Sequence, residues 1–101
     1  MTNEVQEYTG IVMDETIRFT LVEFCSLGKA SAEWVLELVD EGVLEPEGKA
    51  VNEWLFDANA LKRLQRAKRL QQDLRINLPG TALVLDLLEE IETLRVQVRQ
   101  Q

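Results

Sequence analysis

The chain of 101 residues contains no histidine and a single cysteine, Cys25. Without an imidazole, Ser-His and Cys-His nucleophilic catalysis are excluded, and so are zinc sites built on histidine. One thiol can form neither an internal disulfide nor a thiolate metal site, which fits a reducing, cytoplasmic setting. The five glycines are scattered, so no Gly-rich phosphate loop exists. The longest apolar-rich run, residues 78–88, is broken by Pro79, Gly80 and Asp86, so neither a signal peptide nor a membrane span is expected. Carboxylates are abundant, but no flanking pattern marks two of them as an acid and a base in a cleft. An enzyme is therefore not expected, no cofactor or metal is called for, and function is sought in binding.

What remains is an ordinary globular composition, 46% hydrophobic, in a chain sized for one domain with an appended helix. So small a core gains from a partner. The net charge of −7 is unevenly spread. Residues 1–57 hold thirteen acids against three bases, and residues 58–75 hold six bases against one acid. Residues 76–101 hold four acids against two bases. The first half would repel phosphate and attract a basic surface.

Along the chain, residues 1–16 have no clear period and read as a flexible arm. Residues 17–76 read as a winged helix-turn-helix domain, and residues 77–101 as a carboxy-terminal dimerisation helix. Ile17–Phe19 is a short strand candidate. Thr20 and Glu23 form a capping box for a first helix that ends at Leu27-Gly28. Ser31 caps a second helix closed by Gly42. "VLEPEGKAVNEWLF", residues 43–56, carries Pro46 and Gly48 between apolar ends and predicts a two-stranded wing. Asp57 caps a third helix with Leu61, Leu64, Ala67, Leu70 and Leu74 on its inner face, and Pro79 opens the last helix. In that helix Val84, Leu87, Ile91, Leu94 and Val98 step by three and four, a heptad seam. The seam could pack on the third helix of the same chain. A homodimer contact is the preferred expectation, because Leu83, Leu85 and Leu88 widen the apolar arc.

The order helix, turn, helix, wing, helix, long helix is similar to that of MerR-like winged-helix proteins. The segments "FTLVEFC", "GVLEP", "WLFD", "RLQRAKRLQQDL" and "NLPGTALVLDLLEEIETL", in that order over most of residues 19–94, resemble the CbpM family of chaperone modulators. The fold class implied is all-α, a MerR-like winged helix-turn-helix with a small two-stranded wing and a long carboxy-terminal helix. The resemblance implies a protein that binds the J-domain of CbpA, a DnaJ-type co-chaperone associated with the nucleoid. It further implies inhibition of that partner's co-chaperone and DNA-binding activities, by a cytoplasmic dimer.

The residues agree on the sign of charge. The second helix, which a DNA reader would arm with arginine or lysine, instead offers Glu33, Glu37, Asp40 and Glu41 within one arc, with Trp34 at its edge. Ala32, Val35, Leu36, Leu38 and Val39 are expected on the core side. An acidic face rimmed by an aromatic suits a basic protein helix, and these five residues, Glu33 to Glu41, are the candidate contacts. An acidic arc can equally be a solvated face. MerR-type wings carry a "Gly-Tyr-Arg-Leu-Tyr" end whose arginine reaches phosphate. Here "NEWLF" puts Trp54 in that place, and Glu45, Glu47 and Glu53 make the wing acidic, which speaks against direct nucleic-acid binding. Trp54 and Phe56 are expected in the core. The alternative is a MerR-type DNA-binding transcription regulator, for which the basic third helix argues: Lys62, Arg63, Arg66, Lys68, Arg69 and Arg75. That cluster could pair with the acids of the first half, within a protomer or across a dimer, meet an acidic partner, or bind nucleic acid. An organic effector would need a pocket between the third and last helices. Cys25, among Leu21, Val22 and Phe24, is expected to be buried.

Overall fold

Helix boundaries in this chain follow from side chains that occupy orphan backbone groups. A computed structural model describes residues 16–100. The expected arm lies outside the described residues except for Thr16. Thr20 Oγ1 accepts from the Glu23 amide (3.2 Å), and Glu23 Oε1 accepts from the Thr20 amide (2.9 Å), so the capping box starts α1, Leu21–Gly28. Ser31 Oγ accepts from the Trp34 amide (3.1 Å) and starts α2, Ala32–Asp40. Asp57 caps α3, Ala58–Leu74, through the Ala60 amide (2.8 Å), and Asn77 caps α4, Leu78–Arg99, through the Gly80 amide (2.8 Å). Gly42 leaves α2 at φ 80°, a backbone conformation that costs a glycine little.

Between α2 and α3 the chain departs from the expected wing. Strand β2, Leu55–Phe56, pairs antiparallel with β1, Phe19–Thr20, in the register Phe19 to Phe56 and Thr20 to Leu55. The Val43–Phe56 segment contributes one bridge of its own: Glu47 and Leu55 exchange both backbone hydrogen bonds, at 2.9 and 3.0 Å. A 3-10 turn at Val51–Glu53 fills the rest. Two long strands do not form because Pro46 lacks an amide and Gly48, at φ 107°, turns the chain. The strand expected at residues 17–19 is shifted to Phe19–Thr20, the residues that pair with one edge of β2.

The core forms where α1, α2, α3 and the sheet meet. Phe24 stacks on Phe56 with ring centroids 4.2 Å apart, and Trp54 meets Phe56 edge-on at 6.1 Å. Val35, Leu38, Val43, Leu44, Leu61 and Leu64 complete it, and Leu85 is the buried anchor of α4. As expected, Phe56 is buried; Trp54 is half-buried against the same cluster. Leu74, placed by periodicity on the inner face of α3, is exposed, because α3 has run past the core by its last turn. Cys25 is half-buried rather than buried, and desolvation raises its thiol pKa above the ordinary value.

Helix α1 ends at Gly28, as expected, but the glycine is not its left-handed cap. It is helical and buried, and the left-handed residue after it is Lys29, at φ 53°. The glycine is needed for space: a Cβ there would run into Leu64 Cδ2. Its absence lets α1 and α3 approach backbone to side chain. Gly28→Ala is therefore expected to destabilise the protein by roughly 1–3 kcal/mol through overpacking. Urea unfolding would measure it, and pairing the change with Leu64→Val should recover part of the loss.

Candidate functional site

The basic third helix separates into two sets of residues once its partners are placed. Arg63 is buried, and all three guanidinium nitrogens are engaged. Nε donates to the Val43 carbonyl (2.7 Å), Nη1 meets Glu89 (2.7 Å), and Nη2 meets Asp86 (3.3 Å). Arg66 pairs with Glu92 at 2.8 Å. That hydrogen bond and the charge of Arg66, with Lys62 and Arg95 adding, lower the Glu92 pKa below the ordinary carboxylate value. Lys68 donates to the Gly28 carbonyl (2.9 Å) and the Lys29 carbonyl (3.2 Å), closing the carboxy-terminal end of α1 where a cation is favoured. Half of the six bases thus work inside the fold, docking α4 on α3 and α3 on α1. Lys62, Arg69 and Arg75 are exposed. The expected pairing of this cluster with acids of the first half is not what Arg63 and Arg66 form: their charge is balanced within the protomer, but by Asp86, Glu89 and Glu92 of α4.

A cleft of about 310 Å³ between the 42–45 segment, α3 and α4 is lined by Val43, Glu45, Asp57, Arg63, Asp86 and Glu89 among others. Its rim is acidic and its one guanidinium is already committed, which disfavours an anionic effector. Among the described residues no cluster of three or more His, Cys, Asp or Glu side chains could hold a metal ion.

On α2 the core direction is set by Val35 and Leu38, both fully buried. Opposite them Glu33, Glu37, Asp40 and Glu41 are exposed, so the four carboxylates share the outward side, and Trp34 is half-buried at its edge against the core cluster. Two residues assigned to the core side are misplaced by that expectation. Ala32 is exposed, and Leu36 is 40% exposed. Leu36 stands three residues after Glu33 and four before Asp40, the spacing of one helical face. The i, i+3, i+4, i+7 pattern of 33, 36, 37 and 40 is present in the sequence and places Leu36 with the acids.

The seam residues of α4 lie on the side away from Thr81 and Leu85, the two buried positions of that helix. Leu87, Ile91, Leu94 and Val98 are 51, 45, 52 and 68% exposed, and every residue from Ile91 to Gln100 is exposed. Packing of the seam on α3 of the same chain is therefore not what α4 does. Val84 departs from the expected stripe: it is half-buried beside the buried Leu85, while its other neighbour Leu83 is exposed. No helix among the described residues is long and apolar enough to cross a membrane.

These surfaces have a family context. Residues 19–100 match the model of the MerR HTH family regulatory proteins. The chain is 42% identical over 88 residues to the chaperone modulatory protein CbpM of Citrobacter koseri, covering 87% of each chain. It is 40% identical over 79 residues to CbpM of Pseudomonas entomophila, 78% of each. With CbpM of Coxiella burnetii it shares 36% over 90 residues, 89% of this chain and 85% of that one. A winged helix-turn-helix whose reading helix is acidic, matched over most of its length at these identities, belongs to the CbpM chaperone modulatory proteins within the MerR HTH family.

Proposed function

We propose that this protein modulates a chaperone system by binding the J-domain of a CbpA-like, DnaJ-type co-chaperone in the cytoplasm, inhibiting its co-chaperone and DNA-binding activities. The observation that carries this reading is the charge of α2. In the position from which a helix-turn-helix protein reads bases, Glu33, Glu37, Asp40 and Glu41 point outward. Such a face is repelled by duplex phosphate and attracted to a basic protein helix. The relatives' name, chaperone modulatory protein, supplies the class of partner. Trp34, at the edge of the face, adds a ring whose apolar body can be covered by the partner. Masking a basic helix of the J-domain would block its other uses by competition, which accounts for both inhibited activities at once.

The functional unit in this reading is a homodimer joined along α4 through Val84, Leu87, Ile91, Leu94 and Val98. Four of those five side chains are about half exposed or more in the single chain. Covering each would contribute on the order of 1 kcal/mol, enough collectively to favour association at working concentrations.

Two measurements test these statements. Calorimetric titration with the isolated J-domain should give saturable binding that weakens as salt rises, since steering by exposed charge is screened. Joint reversal of Glu37→Lys and Asp40→Lys should weaken binding at least tenfold without loss of stability. Unchanged affinity in that variant would remove α2 as the contact, and tight duplex binding in a low-salt shift assay would favour a transcription regulator instead. Sedimentation at tens of micromolar, an order-of-magnitude working range, should give a dimer for the native chain. Ile91→Asp or Leu94→Asp should give a folded monomer with J-domain affinity per site preserved. A monomeric native chain overturns the seam.

A further inference from the structure

Resting on the reading that the α2 face receives a basic helix, we infer that Leu36 is the specificity-determining contact of that face, and that its occupant is an amphipathic helix with an apolar row beside its cationic one. The outward side of α2 is not uniformly acidic. Glu33, Glu37 and Asp40 form its centre, and Leu36, with Ala32 one turn earlier, forms one flank. The opposite flank holds Glu41 and the half-buried Trp34. Leu36 contrasts with Leu38, two residues on, which has no exposure at all. A partner carrying only positive charge would satisfy the carboxylates and leave Leu36 in water.

The two halves of such a face act differently. Carboxylates on a solvent-exposed helix attract any cation, and the attraction is screened within about 10 Å at ordinary salt. They steer an encounter but distinguish poorly between one basic helix and another. An apolar side chain gains only when a matching apolar surface covers it, and that gain is insensitive to salt. Leu36 therefore converts a general affinity for basic helices into a preference for those whose cationic row has an apolar neighbour on the correct side. Covering the area Leu36 leaves in water corresponds to a preference of roughly five- to tenfold.

The test uses two helix-stabilised peptides of equal length and equal lysine content. One carries leucine and isoleucine in the row beside the lysines, and the other carries glutamine and alanine there. Fluorescence anisotropy against the full chain should show a five- to tenfold preference for the apolar-flanked peptide. Leu36→Ala and Leu36→Gln should abolish that preference while leaving the salt dependence of both peptides unchanged. These exposed-site variants are expected to keep native circular dichroism. Equal affinity of the native chain for the two peptides, or a preference retained by Leu36→Gln, overturns the role of Leu36 while the acidic-face reading stands. Failure of both peptides to bind overturns the basic-helix reading, and this inference with it.

Discussion

The guanidinium of Arg63 joins three parts of the molecule at the edge of the apolar core that they share. Through the Val43 carbonyl it holds the segment leaving α2, and through Asp86 and Glu89 it holds the first half of α4. A cation this deep would be costly if any nitrogen were left dry, but each has an acceptor, and two of the acceptors are charged. Arginine suits the position where lysine would not. Its planar fork reaches three acceptors in different directions from one fixed side chain. Without it the Val43 carbonyl would lose its partner and α4 would keep only the packing of Leu78, Thr81, Ala82 and Leu85 and the Arg66–Glu92 pair. The direction in which α4 leaves the domain, and with it the availability of the apolar stripe, depends on this residue.

Charge in this protein has to be followed to its partners before it says anything about function. Counted along the chain, the third helix is the basic element and the natural candidate for nucleic acid. In the fold, Arg63, Arg66 and Lys68 face carboxylates of α4 and carbonyls at the end of α1, so half of that positive charge is structural. The carboxylates of α2 are arranged otherwise. They share a helix with no base, cap nothing beyond its first turn, and stand opposite a fully buried side formed by Val35 and Leu38. The acidic surplus of the first half of the chain is therefore presented outward on α2, whereas much of the basic surplus of the middle is consumed.

Local signals were legible and long-range accommodations were not. Thr20, Ser31, Asp57 and the Asn77-Leu78-Pro79 sequence each start a helix where their side chains dictate, because capping involves residues within four positions of one another. Gly28 reads locally as a helix end, yet its small size serves Leu64, thirty-six residues away, a contact no local pattern carries. The wing is one bridge long because Pro46 and Gly48 interrupt the segment along one edge of β2, while its other edge pairs with Phe19–Thr20. Leu36 and Val84 were misplaced for a related reason. Periodicity gives the relative directions of side chains around a helix but not which direction the rest of the protein occupies. On α2 that direction is fixed by Val35 and Leu38, and on α4 by Leu85. The carboxylates of α2 are exposed, since a carboxylate among hydrophobic neighbours has only one inexpensive direction to face.

A helix-turn-helix presents one short helix on a rigid base, with α1 behind it and a loop at each end. That geometry is indifferent to whether the object received is a groove of DNA or the ridge of another helix; side-chain chemistry decides. Replacing bases by acids on such a helix reverses the electrostatic term but supplies little selectivity, because exposed charges at this density remain hydrated and screened. Selectivity has to come from groups that lose by staying in water. On α2 the outward side contains few of these, Leu36 and the edge of Trp34, and they border the acidic centre rather than interrupt it. Long-range attraction from the centre and short-range burial at the margins act at different stages of association. The first governs how often the partners meet at a given salt, and the second governs how long they stay.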